Sequence, residues 1–141
     1  MSGERNIILD AFKSALENIS TANGYNTAAG SHVSRDLKAY ENTPMKPALF
    51  VTSEVESLTR EDQRISEATW GITVVGYIDR KIEPSEEIEN LIDDIKKAIF
   101  TDETLGGNVR WIDLTKIDQG VFENIGICEV GFTVYYEFEK P

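Results

Sequence analysis

A thiolate beside an imidazole is the simplest catalytic pair this composition permits, because the chain holds one cysteine, Cys128, and one histidine, His32. Nucleophilic catalysis needs the base within hydrogen-bond reach of the nucleophile. The two residues lie far apart in sequence, and Cys128 alternates with apolar residues, which predicts a buried, inert sulfur. His32, in the unpatterned stretch Gly30-Ser31-His32, is expected at the surface. One cysteine and one histidine cannot furnish a standard zinc site, so only oxygen ligands remain. Glu86-Glu87 and Asp93-Asp94 are neighbours on a predicted helix and point in different directions, and no Asp-rich calcium loop is present, so both pairs read as solvated helix face.

The other candidates are equally plain. With 25 Asp and Glu, chance pairs of carboxylates are guaranteed, and none is specified for acid–base work. Gly106-Gly107 could approach a phosphate, yet no Lys-Ser/Thr pair follows and neither a Walker pattern nor Gly-x-Gly-x-x-Gly is present, so a turn is expected. Trp70 and Trp111 lie in apolar alternations without a basic surround, which predicts core or interface packing rather than stacking on a base or sugar. The residues thus nominate no catalytic, metal or cofactor site, and the expectation is a protein that is not an enzyme.

Length and composition agree with one folded domain spanning residues 1–141. A chain of 141 residues can bury roughly 68% of its unfolded surface, and 40% hydrophobic with 28% charged residues is globular composition. A lone cysteine permits no intrachain disulfide, in keeping with a reducing compartment. Residues 1–6 lack the basic start and apolar run of a signal peptide, and no run of about 18 apolar residues occurs, so neither secretion nor membrane spanning is expected. Against 14 Lys and Arg, the acids leave a net charge of −11, which repels phosphate backbones and anionic lipid and disfavours ordinary DNA binding. Solubility alone is the simplest use of such charge.

Periodicity supplies the elements that would position any site. Ile8, Ala11, Phe12, Ala15, Leu16 and Ile19 share one face of a predicted helix from Gly3 to Ile19, and Asn23-Gly24 then reverses the chain so that Tyr25 packs back. A short edge strand is expected within Ala28 to Asp36, then a loop from Leu37 to Lys46. Pro44 and Pro47 bracket the entry to the strand Ala48-Leu49-Phe50-Val51, which turns polar through Glu54 and Glu56. Trp70, Ile72, Val74 and Ile78 alternate with Thr69, Thr73 and Tyr77, and the charged stretch from Leu58 to Ile65 joins the two as a long hairpin.

Pro84 and Ser85 open a second helix with Glu86 and Glu87 in its first turn, an apolar stripe of Ile88, Leu91, Ile92, Ile95 and Ile99, and Lys96 and Lys97 near its end. A strand through Val109, Trp111, Ile112 and Leu114 follows, Asp118-Gln119-Gly120 is expected to turn the chain, and a last strand from Ile127 to Glu139 puts Cys128, Val130, Phe132, Val134, Tyr136 and Phe138 on one face. The order αβββαββ predicts an α+β fold. An antiparallel or mixed sheet of about five strands would carry two amphipathic helices on one face.

Over nearly its whole length the sequence resembles the tail terminator (tail completion) proteins of long-tailed bacteriophages. The resemblance is cumulative. It is carried by the amphipathic N-terminal helix followed by Gly24-Tyr25-Asn26, the strand Pro47-Ala48-Leu49-Phe50-Val51, Glu54 to Glu56 before a charged hairpin, and the alternating strand Trp70 to Tyr77. The helix ending Ala98-Ile99-Phe100, then Thr104-Leu105-Gly106-Gly107-Asn108-Val109, and a final strand through Val134-Tyr135-Tyr136-Glu137-Phe138 complete it.

What the resemblance implies is a virion protein, made in the host cytoplasm and placed at the head-proximal end of the tail. There a hexameric ring of copies caps the tail tube, stops its polymerisation and offers a docking face to the head connector or neck protein. DNA would pass through the lumen without specific binding, and an acidic lumen would keep it from sticking. The candidate assembly contacts are Glu54, Glu56, Arg60 and Arg64 on the charged hairpin, with no cofactor and no membrane. A head–tail joining protein of related fold shares these elements. The competing classes are a small-ligand or regulatory binding domain and, third, an enzyme working through carboxylates.

Overall fold

The computed structural model describes residues 4–60, 65–79, 84–122 and 124–139, with the backbone alone for 55–60, 65–66, 122 and 138–139. In chain order these form α1 (Glu4–Leu16), β1 (Val33–Ser34), β2 (Ala48–Arg60), β3 (Ile65–Ile78), α2 (Ser85–Phe100), β4 (Trp111–Phe122) and β5 (Ile125–Glu139). The five strands make one sheet in the order β1-β2-β3-β5-β4. β1 runs parallel to β2 and every other neighbouring pair is antiparallel, so the sheet is mixed and the fold is α+β, as the element order predicts.

Both helices bury their stripes on the same face. Ile8, Phe12 and Leu16 of α1 and Ile88, Leu91, Ile92, Ile95 and Ile99 of α2 join Leu49, Trp70, Ile72, Val74, Val130, Phe132 and Val134 of the sheet in one core. α1 stops at Leu16, a turn short of the expected end. There Asn18 N–H donates to the Ala15 carbonyl and Ile19 N–H to the Leu16 carbonyl, the tighter spacing of a 3₁₀ turn, and Ile19 stays buried. Gly30 closes against this end: its N–H donates to the Ile19 carbonyl at 2.9 Å. A Cβ at Gly30 would lie 2.5 Å from the Ile19 carbonyl oxygen, which explains the glycine in an otherwise unpatterned stretch.

The opposite face is not bare, although clean alternation predicts one buried face. Ala48, Phe50, Val75 and Tyr77 form a second apolar cluster, packed against by Tyr40 and Ile127. Tyr40 hydroxyl donates to the Ile78 carbonyl and Tyr77 hydroxyl to the Lys38 carbonyl, tying the segment that leads into β2 across the sheet. Burial first, then Glu41 and Glu129, push the Tyr77 phenol above its ordinary pKa, so it remains a donor at neutral pH.

Asp118-Gln119-Gly120 does not turn the chain. These residues lie inside β4, paired with Glu129, Cys128 and Ile127, and the reversal comes after Phe122, with Asn124 in the left-handed region at φ 66°. Two bulges border a single cross-sheet row. Ser53, Ile72, Phe132 and Leu114 pair in line, and the register shifts just beyond Ser53 on β2 and just beyond Leu114 on β4. No helix among the described residues is long and apolar enough to cross a membrane.

Candidate assembly surface

Cys128 and His32 are separated by the sheet. The thiol is buried on the helix side, near Leu91 and Leu49, where a Cβ at Gly76 would touch all three side chains. His32 is half-buried rather than at the surface, and lines a groove with Lys38, Met45 and Phe50 on the other side. No nucleophile–base pair can form between them. Burial pushes the Cys128 thiol up to about 12, opposed by the Gly76 backbone hydrogen bond. Because the folded value lies above the ordinary one of about 8.5, this thiol's contribution to stability is complete below that pH and is lost as pH rises toward 12. Alkylation of the native protein at pH 7.5 is therefore expected to run at least about 100-fold slower than in denaturant; comparable rates would show an exposed thiolate.

The carboxylates are occupied by structure. Asp93 is exposed, but Asp94 is buried, contrary to the expected solvated face: it faces the chain between α1 and β1, where its two oxygens accept the Asn26 and Thr27 N–H groups at 2.9 and 2.8 Å. In the Gly106-Gly107 turn, Asp102 accepts the Gly106 N–H at 2.7 Å and the Thr104 N–H and hydroxyl at 3.1 and 3.0 Å. Those bonds hold its carboxyl below the usual range. A phosphate approaching this turn would meet a carboxylate already using its donors. Among the described residues no group of three or more His, Cys, Asp and Glu could hold a metal. A cleft between α1 and α2, lined by Ala11, Ser14, Tyr25, Ala98 and Leu105, holds about 290 Å³, at the floor of the range for small-ligand sites.

The expected hairpin is present and wider than expected. β2 and β3 stay paired from Ala48 with Tyr77 up to Arg60 with Ser66, so the ladder runs through residues read as its charged tip. β5 accompanies β3 to the pair Ile65 with Glu139. β4 ends this side of them, at Trp111 opposite Tyr135. Three rows of a three-stranded arm therefore extend past β4, roughly 10 Å at the usual rise. A third strand supplies the pairing that an isolated two-stranded hairpin lacks.

Of the four candidate contacts, the side chain of Glu54 is the one described; it is exposed and also bonds within the subunit. It sits in the β2 bulge over Gly71, where a Cβ would come 3.1 Å from its carboxylate oxygen, and accepts the Thr73 hydroxyl at 2.9 Å. The bulge leaves the Glu54 carbonyl to a side-chain donor, and the buried Trp70 indole N–H supplies it at 3.1 Å. Glu56 pairs with Trp70 and Arg60 with Ser66 through the backbone, and Arg64 lies outside the described residues. Sequence reasoning missed the aromatic pairing at the root of the arm, exposed Trp111 on half-buried Tyr135. Trp111 stacks on Tyr135 at 4.7 Å, with the Arg110 guanidinium beside it held by Glu67 and Glu137. Its only signal was a tryptophan in register with a tyrosine. Compared with known protein families and with curated proteins, the chain matches no family model and no curated sequence.

Proposed function

We propose that the chain is a structural subunit of a phage tail, a tail-terminator-like protein whose copies form a ring that caps the tail tube and receives the head connector. The observation that carries the reading is the prolonged sheet: β2, β3 and β5 run on past β4 as an arm, and the sequence that joins β2 to β3 there is rich in charge. A self-contained binding domain has no use for such an extension, whereas a ring subunit needs reach toward a neighbour or the tube. The net charge of −11 suits a lumen that DNA passes without adhering.

Light scattering on the purified protein tests the reading. A ring of about 95 kDa, six of the 15.8 kDa chain, is expected; a stable monomer or dimer would overturn it and favour a ligand-binding domain. Reversing the charge of both Arg60 and Arg64 should weaken ring formation or tail capping and leave the subunit's thermal stability unchanged. Hexamers and correctly terminated tails in that variant would remove the arm's arginines from the assembly.

A further inference from the structure

Between β1 and β2 the chain lies against the sheet face opposite the helices, where Asp36 to Lys46 forms no strand and takes no part in the ladder. Both ends of this segment are fixed. Before it, Arg35 donates to Asp10 and Asn6 of α1 at 3.0 and 2.8 Å; after it, Ala48 enters β2. Its middle is stiffened from within as one 3₁₀ turn. Asn42 N–H donates to the Ala39 carbonyl, Thr43 N–H to the Tyr40 carbonyl, and the Thr43 hydroxyl again to Ala39.

A reciprocal clasp joins that stiff middle to the sheet. Tyr40 of the segment donates to the Ile78 carbonyl at 2.8 Å, Tyr77 of β3 donates back to the Lys38 carbonyl at 2.7 Å, and the two rings meet edge-on at 5.5 Å. The segment's large aliphatic side chains add little to this hold, since Leu37 is 52% and Met45 60% exposed. Nor is the fit close. A groove of about 220 Å³ remains, lined by Thr43 and Met45 from the segment and by Ala48 and Phe50 from the sheet. Beneath the segment lies the second apolar cluster, Ala48, Phe50, Val75 and Tyr77, all buried.

From these observations we infer that Asp36 to Lys46 is a strap that opens as one piece between its fixed ends, releasing the tyrosine clasp and uncovering Ala48, Phe50 and Tyr77 while the helices and the β3–β5 ladder stay folded. A segment with few buried apolar contacts and no ladder bonds belongs to the low-stability end of a fold. Water satisfies both hydroxyls and both carbonyls once the strap lifts, so the two bonds together favour the closed form by only about 5- to 100-fold. The stiff turn makes the release cooperative, because Tyr40 and the Lys38 carbonyl leave the sheet together. Closed, the strap hides an apolar face; open, it presents one. The opening occurs within a single chain and is independent of whether copies assemble.

A thiol placed under the strap reads the opening directly. Ala48→Cys, treated with a maleimide bulkier than the groove, should react at least about 100-fold faster than Cys128, which lies on the helix side of the same native chain and serves as the internal control. Equal rates would mean that this face is uncovered only when the whole chain unfolds, and the strap would not exist as a separate unit. Tyr40→Phe combined with Tyr77→Phe keeps both rings and removes the clasp. It should speed labelling at position 48 by about 5- to 100-fold, with Cys128 still far slower. Cleavage by trypsin after Lys38 supplies a second measurement that needs no added cysteine, and decides alone if Ala48→Cys lowers the melting temperature. The phenylalanine pair should accelerate it by the same factor of about 5 to 100. Labelling or cleavage that the pair leaves unchanged would show that the hydroxyls do not hold the segment, and would overturn the proposal.

Discussion

Replacing Phe132 with alanine is expected to destabilise the fold by about 3 to 5 kcal/mol, measured by denaturant titration. Phe132 is buried at the centre of β5, where its ring meets Phe12 of α1 edge-on at 5.8 Å and Phe100 of α2 edge-on at 5.8 Å. One side chain therefore docks both helices on the sheet. Its removal forfeits the transfer energy of an aromatic ring and two edge-to-face contacts, each about 0.5–1.5 kcal/mol beyond burial. The sheet is also stiff at this point, since Phe132 lies in the row between the two bulges with paired neighbours on both sides. A cavity there collapses poorly, which places the cost high in the range for such truncations. Phe132→Leu keeps most of the volume and should cost less than half as much. A loss below about 1 kcal/mol for the alanine variant would mean that the helices are not anchored through this ring.

Phe132 was legible because β5 is buried on one face and burial enforces alternation. The same physics made the stripe of α2 and the alternation of β3 readable, and with them the order αβββαββ. Where burial relaxes, the signal fades. Asp118-Gln119-Gly120 carries the composition of a turn but lies on an edge strand whose partners stand on one side only, so pairing with β5 overrides local preference. The bulge at Glu54 leaves no periodic trace, since it consists of one irregular step between two regular runs. Tyr40 closes the second apolar cluster from a segment without regular periodicity, and nothing in its neighbours announces that it is half-buried.

Legibility of the candidate surface followed the same rule. A charged stretch between two alternating runs marks a hairpin, but the sequence cannot say that a third strand accompanies it or that Glu54 turns back over Gly71 to meet Thr73. Glu54 read as a contact for a partner because its charge was visible, whereas its bond to the Thr73 hydroxyl over Gly71 depends on the pairing of β2 with β3. Exposure at the β4 edge was missed for a related reason. Ile117 and Val121 lie beyond the bulge after Leu114, where the alternation is broken, and their exposure follows from β4 being the last strand, which is a property of topology.

Asp94→Ala is expected to cost about 2 to 4 kcal/mol, more than any exposed carboxylate of α2, and to loosen the chain around residues 24–27. Helical spacing puts Asp94 three residues from Leu91 and four from Ala98, at the flank of the buried stripe instead of opposite it. The carboxylate thereby faces the link from α1 to β1 and accepts the Asn26 and Thr27 N–H groups, one on each oxygen. One turn on, Lys97 donates to the Gly24 carbonyl at 3.0 Å and lies over the Tyr25 ring at 4.6 Å. Two charged side chains of α2 thus hold consecutive peptide groups of a segment without regular ladder bonds of its own. Alanine at Asp94 strands two partly buried donors, each costing about 1–3 kcal/mol when unpaired, with some relief from water. Asparagine is the informative control. Its single carbonyl oxygen can accept one N–H while its amide group opposes the other, so Asp94→Asn should recover less than half of the loss. Amide hydrogen exchange at Asn26 and Thr27 should accelerate in both variants while the β3–β5 ladder keeps its protection. If Asp94→Ala unfolds within about 0.5 kcal/mol of wild type, or exchange at Asn26 and Thr27 is unchanged, the carboxylate does not hold this segment.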